Sequence, residues 1–388
     1  VENRDSYVVG HVIFERPELT GRDVAVRTLA RVQQAARPGS AVVFVSATDH
    51  RGSLVADGGL AAVPFPAGHG FVQWLRAARG FARVDPRRHG VTVLHFHGCR
   101  AAFLLALLRT ARRPGWSALP AVYSNHGIFT DTPQHLLSTV AEVICARWAD
   151  AMTACNEDQA ATFRRFQRIP VWVVTNGADP AALPRPDYDS RLRRRLGIPA
   201  GAPVVSFVGR LSREKRPDLF IDACQRISQV IPETHFILAG EGAERDWLRE
   251  RLASDDLTTM HMIGFVPEPA EVYAVSDLLL HPADFEGMPL VVLEAMASGV
   301  PVVGTAVAGL AAIIDDDRTG VLVGAGDADG FANAAIEILR SPKRRREMAL
   351  RAAAAIRSSH TADHMREGMA SMYRSVIAKT PGHVDAAT

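Results

Sequence analysis

Two glutamates eight positions apart, Glu286 and Glu294 in DFEGMPLVVLEAMASGVP, have the residue types and spacing to do chemistry. An apolar run, Leu278 to Leu280, enters this stretch as a buried strand would and stops at His281-Pro282. Pro289 falls where a helix favours its first residue, Val291 to Ala297 carry the helix on, and Gly299 with Pro301 ends it. The first N–H groups of that helix, around Met288, Leu290 and Val291, have no intrahelical acceptor and point back into the loop. Two carboxylates beside a row of donors suit a polyhydroxylated phosphate ester. A solvated acidic loop ahead of a core helix fits the spacing equally well. The second candidate is GRLSREKRPD, Gly209 to Asp218, which places Arg210 and Lys215 on one loop ahead of a helix. Two cations there can neutralise a diphosphate without a metal, although basic loops are commonly only solvated surface.

These loops need a scaffold, and the remaining pattern supplies one. Tyr7 to Phe14 predicts a first strand, Arg22 to about Ala36 an amphipathic helix, and Ala41 to Ser46 the next strand. A loop and a basic helix near Phe71 to Arg83 lead to VTVLHFHG, a strand that delivers His95 and His97 to its carboxyl end. A helix from Arg100 to Arg112, the strand AVYS with Asn125-His126-Gly127, a helix from Pro133 to Trp148, a strand at Ala151 to Ala154, a helix from Asn156 and the strand VWVV follow. TNGADPAALPRPDYD reads as the linker. Beyond it PVVSFVGR, HFILAGEG, MHMIGFV, DLLLHP, PVVGT and GVLVG are strand-like, with helices near Pro217 to Val230, Ala243 to Ala253 and Glu268 to Val275. Alternation at this spacing argues for an α/β chain with two doubly wound, Rossmann-like parallel sheets whose strand ends face each other across a cleft. The domains expected are 1–183, joined by a terminal helix in about 361–388, and 184–360.

At 388 residues, 47% apolar and 22% charged, the chain is long enough for two folded cores, and only the tail after Lys379 reads as disordered. Cys99, Cys145, Cys155 and Cys224 show no metal-ligand spacing and no disulfide framework. No charged-then-apolar leader and no run of spanning length is present, so the expectation is a cytoplasmic protein that meets a membrane only from its inner surface. From Val1 to Leu183 there are 20 Arg, no Lys and 14 acidic residues, a balance of +6 that leaves −4 for the rest of a chain of net charge +2. The basic half carries no nucleic-acid fold signature, so no nucleic-acid partner is expected. Asp315, Asp316 and Asp317 read as a turn before a strand, and no metal is expected. AGEGAERD has Arg245 where a dinucleotide fingerprint needs its third glycine.

EGMPLVVLE followed by AMASGVPVV resembles the E-x7-E motif of the family-four retaining glycosyltransferases, which use nucleotide sugars and have the GT-B fold. The resemblance is strong after Gly209 and weak before Val91. It implies that Glu286 contacts the donor sugar and that Glu294 takes the ribose hydroxyls. It implies that the amides of Gly287, Met288, Pro289 and Leu290's loop hold sugar hydroxyls and phosphate, and that Arg210 and Lys215 hold the diphosphate. Arg216 stands where that family usually has glycine. By the same resemblance Gly264, Phe265 and Val266 border the nucleobase, with Gly240 and Gly242 close by. His126 reaches the donor sugar from the first domain, His97 is a second candidate, and Gly21 admits the pyrophosphate where the family often has paired glycines. The terminal helix, near Thr361 to Ile377, is implied to cross back to the first domain.

The reading is therefore a retaining transferase that moves a hexose-type sugar from a nucleoside diphosphate to an acceptor hydroxyl. The nucleotide sugar is a co-substrate, no cofactor is expected, and Glu286, His126, Arg210 and Lys215 carry the chemistry. A nicotinamide-dependent oxidoreductase and a catalytically silent partner of another transferase are the alternatives. Two acceptor classes stand. Arg76, Arg79, Arg83, Arg87 and Arg88 near Trp74 and Phe81, with Arg109, Arg112 and Arg113 beside Leu104, Leu107, Leu108 and Trp116, suit an envelope glycan or lipid at a membrane surface. If those apolar residues pack inward instead, a soluble cyclitol or natural product bound beside Glu15, Glu18 and Asp131 is expected.

Overall fold

A computed structural model of the chain describes residues 7–14, 21–46, 61–65, 71–126, 133–179, 183–184, 188–254 and 257–380. It divides into two compact units, Val1–Asn176 with Ala362–Thr388, and Gly177–Thr361. Glu15, Glu18 and Asp131 lie outside the described residues.

The first unit holds a seven-stranded parallel sheet of β1 (Val9–Phe14), β2 (Ala41–Ser46), β3 (Ala61–Phe65), β4 (Val93–His97), β5 (Ala121–Ser124), β6 (Ala151–Ala154) and β7 (Val171–Val173). Its order is β3-β2-β1-β4-β5-β6-β7. Strands β1, β2 and β4 are buried along their whole length, as near-continuous apolar runs covered on both faces must be. The sequence predicts only loop between Ser46 and the helix Phe71–Phe81, yet β3 pairs there with β2. Pro64 obscures it, and an edge strand tolerates a residue that cannot donate to the ladder.

Packing places much of the apolar surface near the two basic clusters inside the unit. Phe81, Leu104, Leu108 and Trp116 belong to the buried core of this unit, and the Trp116 indole donates to the Val84 carbonyl. Arg109 donates to Asp150 and to the Leu119 carbonyl. Of the apolar side chains beside the second cluster Leu107 alone is exposed, whereas on the helix of the first cluster Phe71 and Val72 are exposed and Trp74 is half-buried. No described helix is long and apolar enough to cross a membrane. The terminal helix Ala362–Lys379 packs Met365, Met369, Met372 and Tyr373 against Val9, Val93 and Val122 of the same sheet. Each large side chain so buried is worth about 1.5–3 kcal/mol.

The second unit holds β8 (Val204–Val208), β9 (His235–Ala239), β10 (Met260–Gly264), β11 (Leu278–His281), β12 (Val302–Thr305) and β13 (Val321–Val323) in the order β10-β9-β8-β11-β12-β13. All pairings are parallel. The winding reverses between β8 and β11, which pair through Leu278 with Val205. Loops leaving adjacent strands at such a reversal diverge to opposite faces and open a crevice at the carboxyl ends. The loops concerned are Gly209–Arg216 and Pro282–Pro289, the two stretches singled out by residue type.

Candidate active site

The loops after β8 and β11 are tied together before any ligand is considered. The Asp284 amide donates to the Glu214 carbonyl at 2.9 Å, and Arg216 reaches Asp284 at 3.2 Å. Arg216 adopts a left-handed φ of 52°, where a side chain is strained. Its guanidinium is held by two bonds to Asp218, at 3.0 and 2.9 Å, so a charged clamp stands where glycine would have relieved the backbone.

A third loop backs the first. The Gly209 amide donates to the Ala239 carbonyl and the Leu211 amide to the Glu241 carbonyl, at 3.0 and 2.9 Å. A Cβ on Gly240 would lie 1.8 Å from the Gly209 carbonyl oxygen. The glycines of the AGEG turn are thus required by the close passage of two backbones, which accounts for them without a dinucleotide. Gly264, Phe265 and Val266 leave the carboxyl end of the neighbouring strand β10, with Phe265 exposed and the Gly264 carbonyl accepting from the Gly240 amide.

Glu286 is the centre of the charge arrangement. Its side chain is 9% exposed, Lys215 donates to Oε1, and His281 Nε2 donates to the same oxygen at 2.6 Å. Burial alone would raise this carboxyl, but Lys215 and His281 outweigh it and hold it at about 2. It is an acceptor at any working pH. Arg210 lies beside Glu214 at 3.3 Å with a third of its side chain exposed, a cation reachable by a ligand. His281 Nδ1 is buried with no partner among the described residues.

The helix following the loop is Leu290–Ala297, and Pro289 is its N-cap rather than its first residue. The extended ψ of 121° at Pro289 turns its carbonyl to accept from the Val292 and Leu293 amides, and no side chain caps the helix. Donors near the start of a helix left without a side-chain cap suit anionic or hydroxyl oxygens. Gly309 closes the back of this loop, since a Cβ there would lie 2.3 Å from the Glu286 carbonyl oxygen. Glu294 is buried in the helix and accepts from the Tyr273 hydroxyl at 3.1 Å. Burial pushes its carboxyl up to about 7 from an ordinary 4.5.

That shift has a sign. The folded chain holds the Glu294 proton more tightly than the unfolded chain, so its contribution to stability is full below pH 4.5 and falls as pH rises to about 7. Urea titrations from pH 4 to 8 should show a declining limb in the native chain that is shallower in Glu294→Gln. Superimposable limbs would show that the carboxyl is not held protonated.

The remaining candidates lie in the first unit. Gly21 opens the helix Gly21–Ala36 and is exposed, and a Cβ there would touch nothing among the described residues, so none of these requires glycine at this position. His126 follows β5 beside Asn125, whose amide donates to Glu142 at 2.7 Å and whose oxygen accepts from Gln159 at 3.0 Å. His97 Nδ1 lies 3.2 Å from His126 Nε2. Sequence reasoning missed His281, which lies only five residues before Glu286 and reads as a strand end, and it missed Tyr273 and Gly309, which reach the site through the helix Ala270–Val275 and the segment after β12.

A family model described as Glycosyl transferases group 1 matches residues 189–354, and one described as Glycosyltransferase Family 4 matches residues 21–182. The D-inositol 3-phosphate glycosyltransferase of Mycobacterium avium (strain 104) is 30% identical over 287 residues, spanning 68% of this chain and 66% of its own length. The 2-deoxystreptamine N-acetyl-D-glucosaminyltransferase of Streptomyces fradiae is 29% identical over 261 residues, 65% of this chain and 62% of its own. In fold, Anabaena Alr3699/HepE, solved in complex with UDP and glucose, superposes with a TM-score of 0.80 at 20% identity, covering 95% of this chain and 100% of that one. Sucrose-phosphate synthase from Thermosynechococcus elongatus superposes at 0.79 with 20% identity, over 96% and 99% of the two chains.

Proposed function

The chain belongs to the family-four glycosyltransferases, and from that premise we propose that it transfers a hexose-type sugar from a nucleoside diphosphate to a cyclitol hydroxyl. The observation that carries the reading is the meeting of Arg210 and Lys215 with Glu286 and the uncapped helix start at the winding reversal of the second sheet. Cations and amides there take the diphosphate, Glu286 takes hydroxyls of the transferred sugar, and Glu294 takes the ribose hydroxyls. Gly264, Phe265 and Val266 border the base.

The chemistry follows from the charge states. Glu286 is ionised and hydrogen-bonded at Oε1, so it serves as an acceptor and as a negative charge beside the developing oxocarbenium carbon, not as a proton donor. Arg210, Lys215 and the helix amides stabilise the charge that grows on the leaving phosphate. That phosphate is then the base nearest the incoming hydroxyl. A front-face substitution results, in which the acceptor oxygen bonds to the anomeric carbon as the phosphate oxygen departs with the acceptor's proton. The configuration is retained. A glycosyl ester trapped on a carboxylate would refute this route.

The acceptor class rests on two supports. The relatives named above act on an inositol phosphate and on deoxystreptamine, both cyclitols. The inward packing of Leu104, Leu108 and Trp116 removes much of the apolar surface that a lipid-linked acceptor would favour. Incubation with a panel of nucleotide sugars, inositols, inositol phosphates and aminocyclitols, in the presence of EDTA, should yield a product whose anomeric coupling matches that of the donor. Activity lost on chelation would overturn the metal-free site, and an inverted anomer would overturn the mechanism.

A further inference from the structure

The first sheet carries a line of buried histidines that the proposed transfer does not by itself explain. His11 on β1 is in register with His95 on β4, and His97 follows His95 by two residues, so their side chains share one face of the sheet. The contacts run in one line. His11 Nε2 lies 2.7 Å from Gln33 Oε1, His11 Nδ1 lies 3.0 Å from His97 Nε2, and His97 Nδ1 lies 3.2 Å from His126 Nε2. Burial lowers the pKa of all four rings, His11 to about 4 and His126 to about 3, so each is neutral and carries a single N–H.

A neutral imidazole offers one donor and one acceptor, and both nitrogens of His11 and of His97 are used in the line. The order of protons is then set by which atom of the Gln33 amide faces His11. At Gln33 the group facing His11 is the amide oxygen, which only accepts. The amide nitrogen makes no hydrogen bond among the described residues. His11 therefore carries its proton on Nε2 and accepts at Nδ1 from His97 Nε2–H. His97 in turn accepts at Nδ1 from His126 Nε2–H. His126 Nδ1 is left with a lone pair; the one hydrogen bond of this ring among the described residues is that to His97, and Arg22 and Asp23 act on it as nearby charges.

We propose that Gln33, acting through His11 and His97, fixes His126 in the Nε2–H tautomer and so presents Nδ1 as a hydrogen-bond acceptor for a hydroxyl of the bound substrate. Gln33, His11 and His97 are positioning residues. His126 is the group that meets the ligand, an assignment that rests on the transferase reading given above. A donor hydroxyl, rather than a phosphate or carbonyl oxygen, is what such a nitrogen selects. His95 belongs to a separate branch, with Nδ1 2.6 Å from Tyr373 Oη and Nε2 2.6 Å from Ser124 Oγ. The ligand atoms of His11, His95 and His97 lie within 4.8 Å of one another, the arrangement of a three-histidine metal site. Taking a cation would break the 2.6 Å bonds of His95 and interrupt the line from Gln33, with no carboxylate in the trio to offset the charge.

Long-range proton–nitrogen spectra of the full chain labelled with 15N-histidine report which nitrogen of each ring bears the proton. The expected result is Nε2–H at His11, His97 and His126. Gln33→Leu should remove the single order and give mixed tautomers at His126, with kcat lowered and the donor KM unchanged. Gln33→Glu, which keeps an acceptor oxygen, should restore both. Nδ1–H at His126 in the native chain would overturn the proposal, as would an unchanged His126 in folded Gln33→Leu. Stoichiometric zinc that displaces the ring protons of His11, His95 and His97 would also overturn it, by making the cluster a metal site. Should Gln33→Leu fail to fold, the native spectrum still decides. The expected tautomers in a chain that turns over no nucleotide sugar would keep the line and refute the transferase reading.

Discussion

Lys215→Ala is expected to make turnover depend on pH through Glu286, which it does not do in the native protein. In the native site burial works to raise the Glu286 carboxyl, and Lys215 with His281 holds it at about 2. Removing one partner of a buried pair typically costs about 3–5 kcal/mol, much of it the penalty of leaving the other charge unpaired. Part of that cost is avoided if the carboxyl takes up a proton. The variant should therefore lose kcat as pH falls in a way the native chain, whose Glu286 carboxylate persists down to about 2, does not. Glu294, at about 7, is common to both chains, so the comparison is made in kcat at saturating donor. The sign for stability is the same in kind. A depressed carboxyl stabilises the folded chain above its unfolded pKa of 4.5 and loses that contribution as pH falls towards 2, and the variant should lack this acid limb. Parallel pH–rate profiles would show that Lys215 does not hold Glu286 ionised.

The second large effect separates the two carboxylates. Glu286→Gln should lower kcat by about 10²–10³-fold with little change in the donor KM, a loss in the range seen when a preorganised charge-stabilising group is removed from an active site. Glu294→Gln should instead chiefly raise the donor KM, since a hydrogen-bonding group left unsatisfied at a buried position costs about 1–3 kcal/mol. The structure gives the contrast a basis. Glu286 is ionised beside a lysine, whereas Glu294 sits against the Tyr273 hydroxyl with its carboxyl raised to about 7. Steady-state kinetics of both variants with the same donor make the comparison, and effects exchanged between them would reverse the assigned roles.

The strand, loop and helix around Glu286 were legible because every determinant is local. An apolar run, a Pro near the helix start and a Gly-x-Pro stop all fall within a few residues of one another. The spacing of Arg210 and Lys215 was legible for the same reason. What local sequence cannot carry is strand order. His281 reads as the end of a strand, and only the pairing of β11 with β8 brings Lys215 and His281 onto the same carboxylate oxygen. Gly309 reads as one more turn glycine until the loop after β12 is seen to pass the Glu286 carbonyl. His11 is separated from His97 by 86 residues, so the line from Gln33 to His126 depends wholly on β1 lying beside β4. The basic helices were ambiguous for a different reason, because interleaved Arg and Leu satisfy both a membrane face and a core face. Trp116 and Leu108 take the core face, whereas Phe71 and Val72 on the other helix stay exposed.

The account stands or falls on a diphosphate held between the loops after β8 and β11, and calorimetric titration of the chain with nucleoside diphosphates in EDTA tests it most directly. It predicts that one nucleoside diphosphate binds the native chain without metal and binds Arg210→Ala and Lys215→Ala at least tenfold more weakly, as expected for the loss of a charge-assisted contact. Equal affinity in the native chain and both variants, or binding that appears only when a divalent metal is restored, would contradict it.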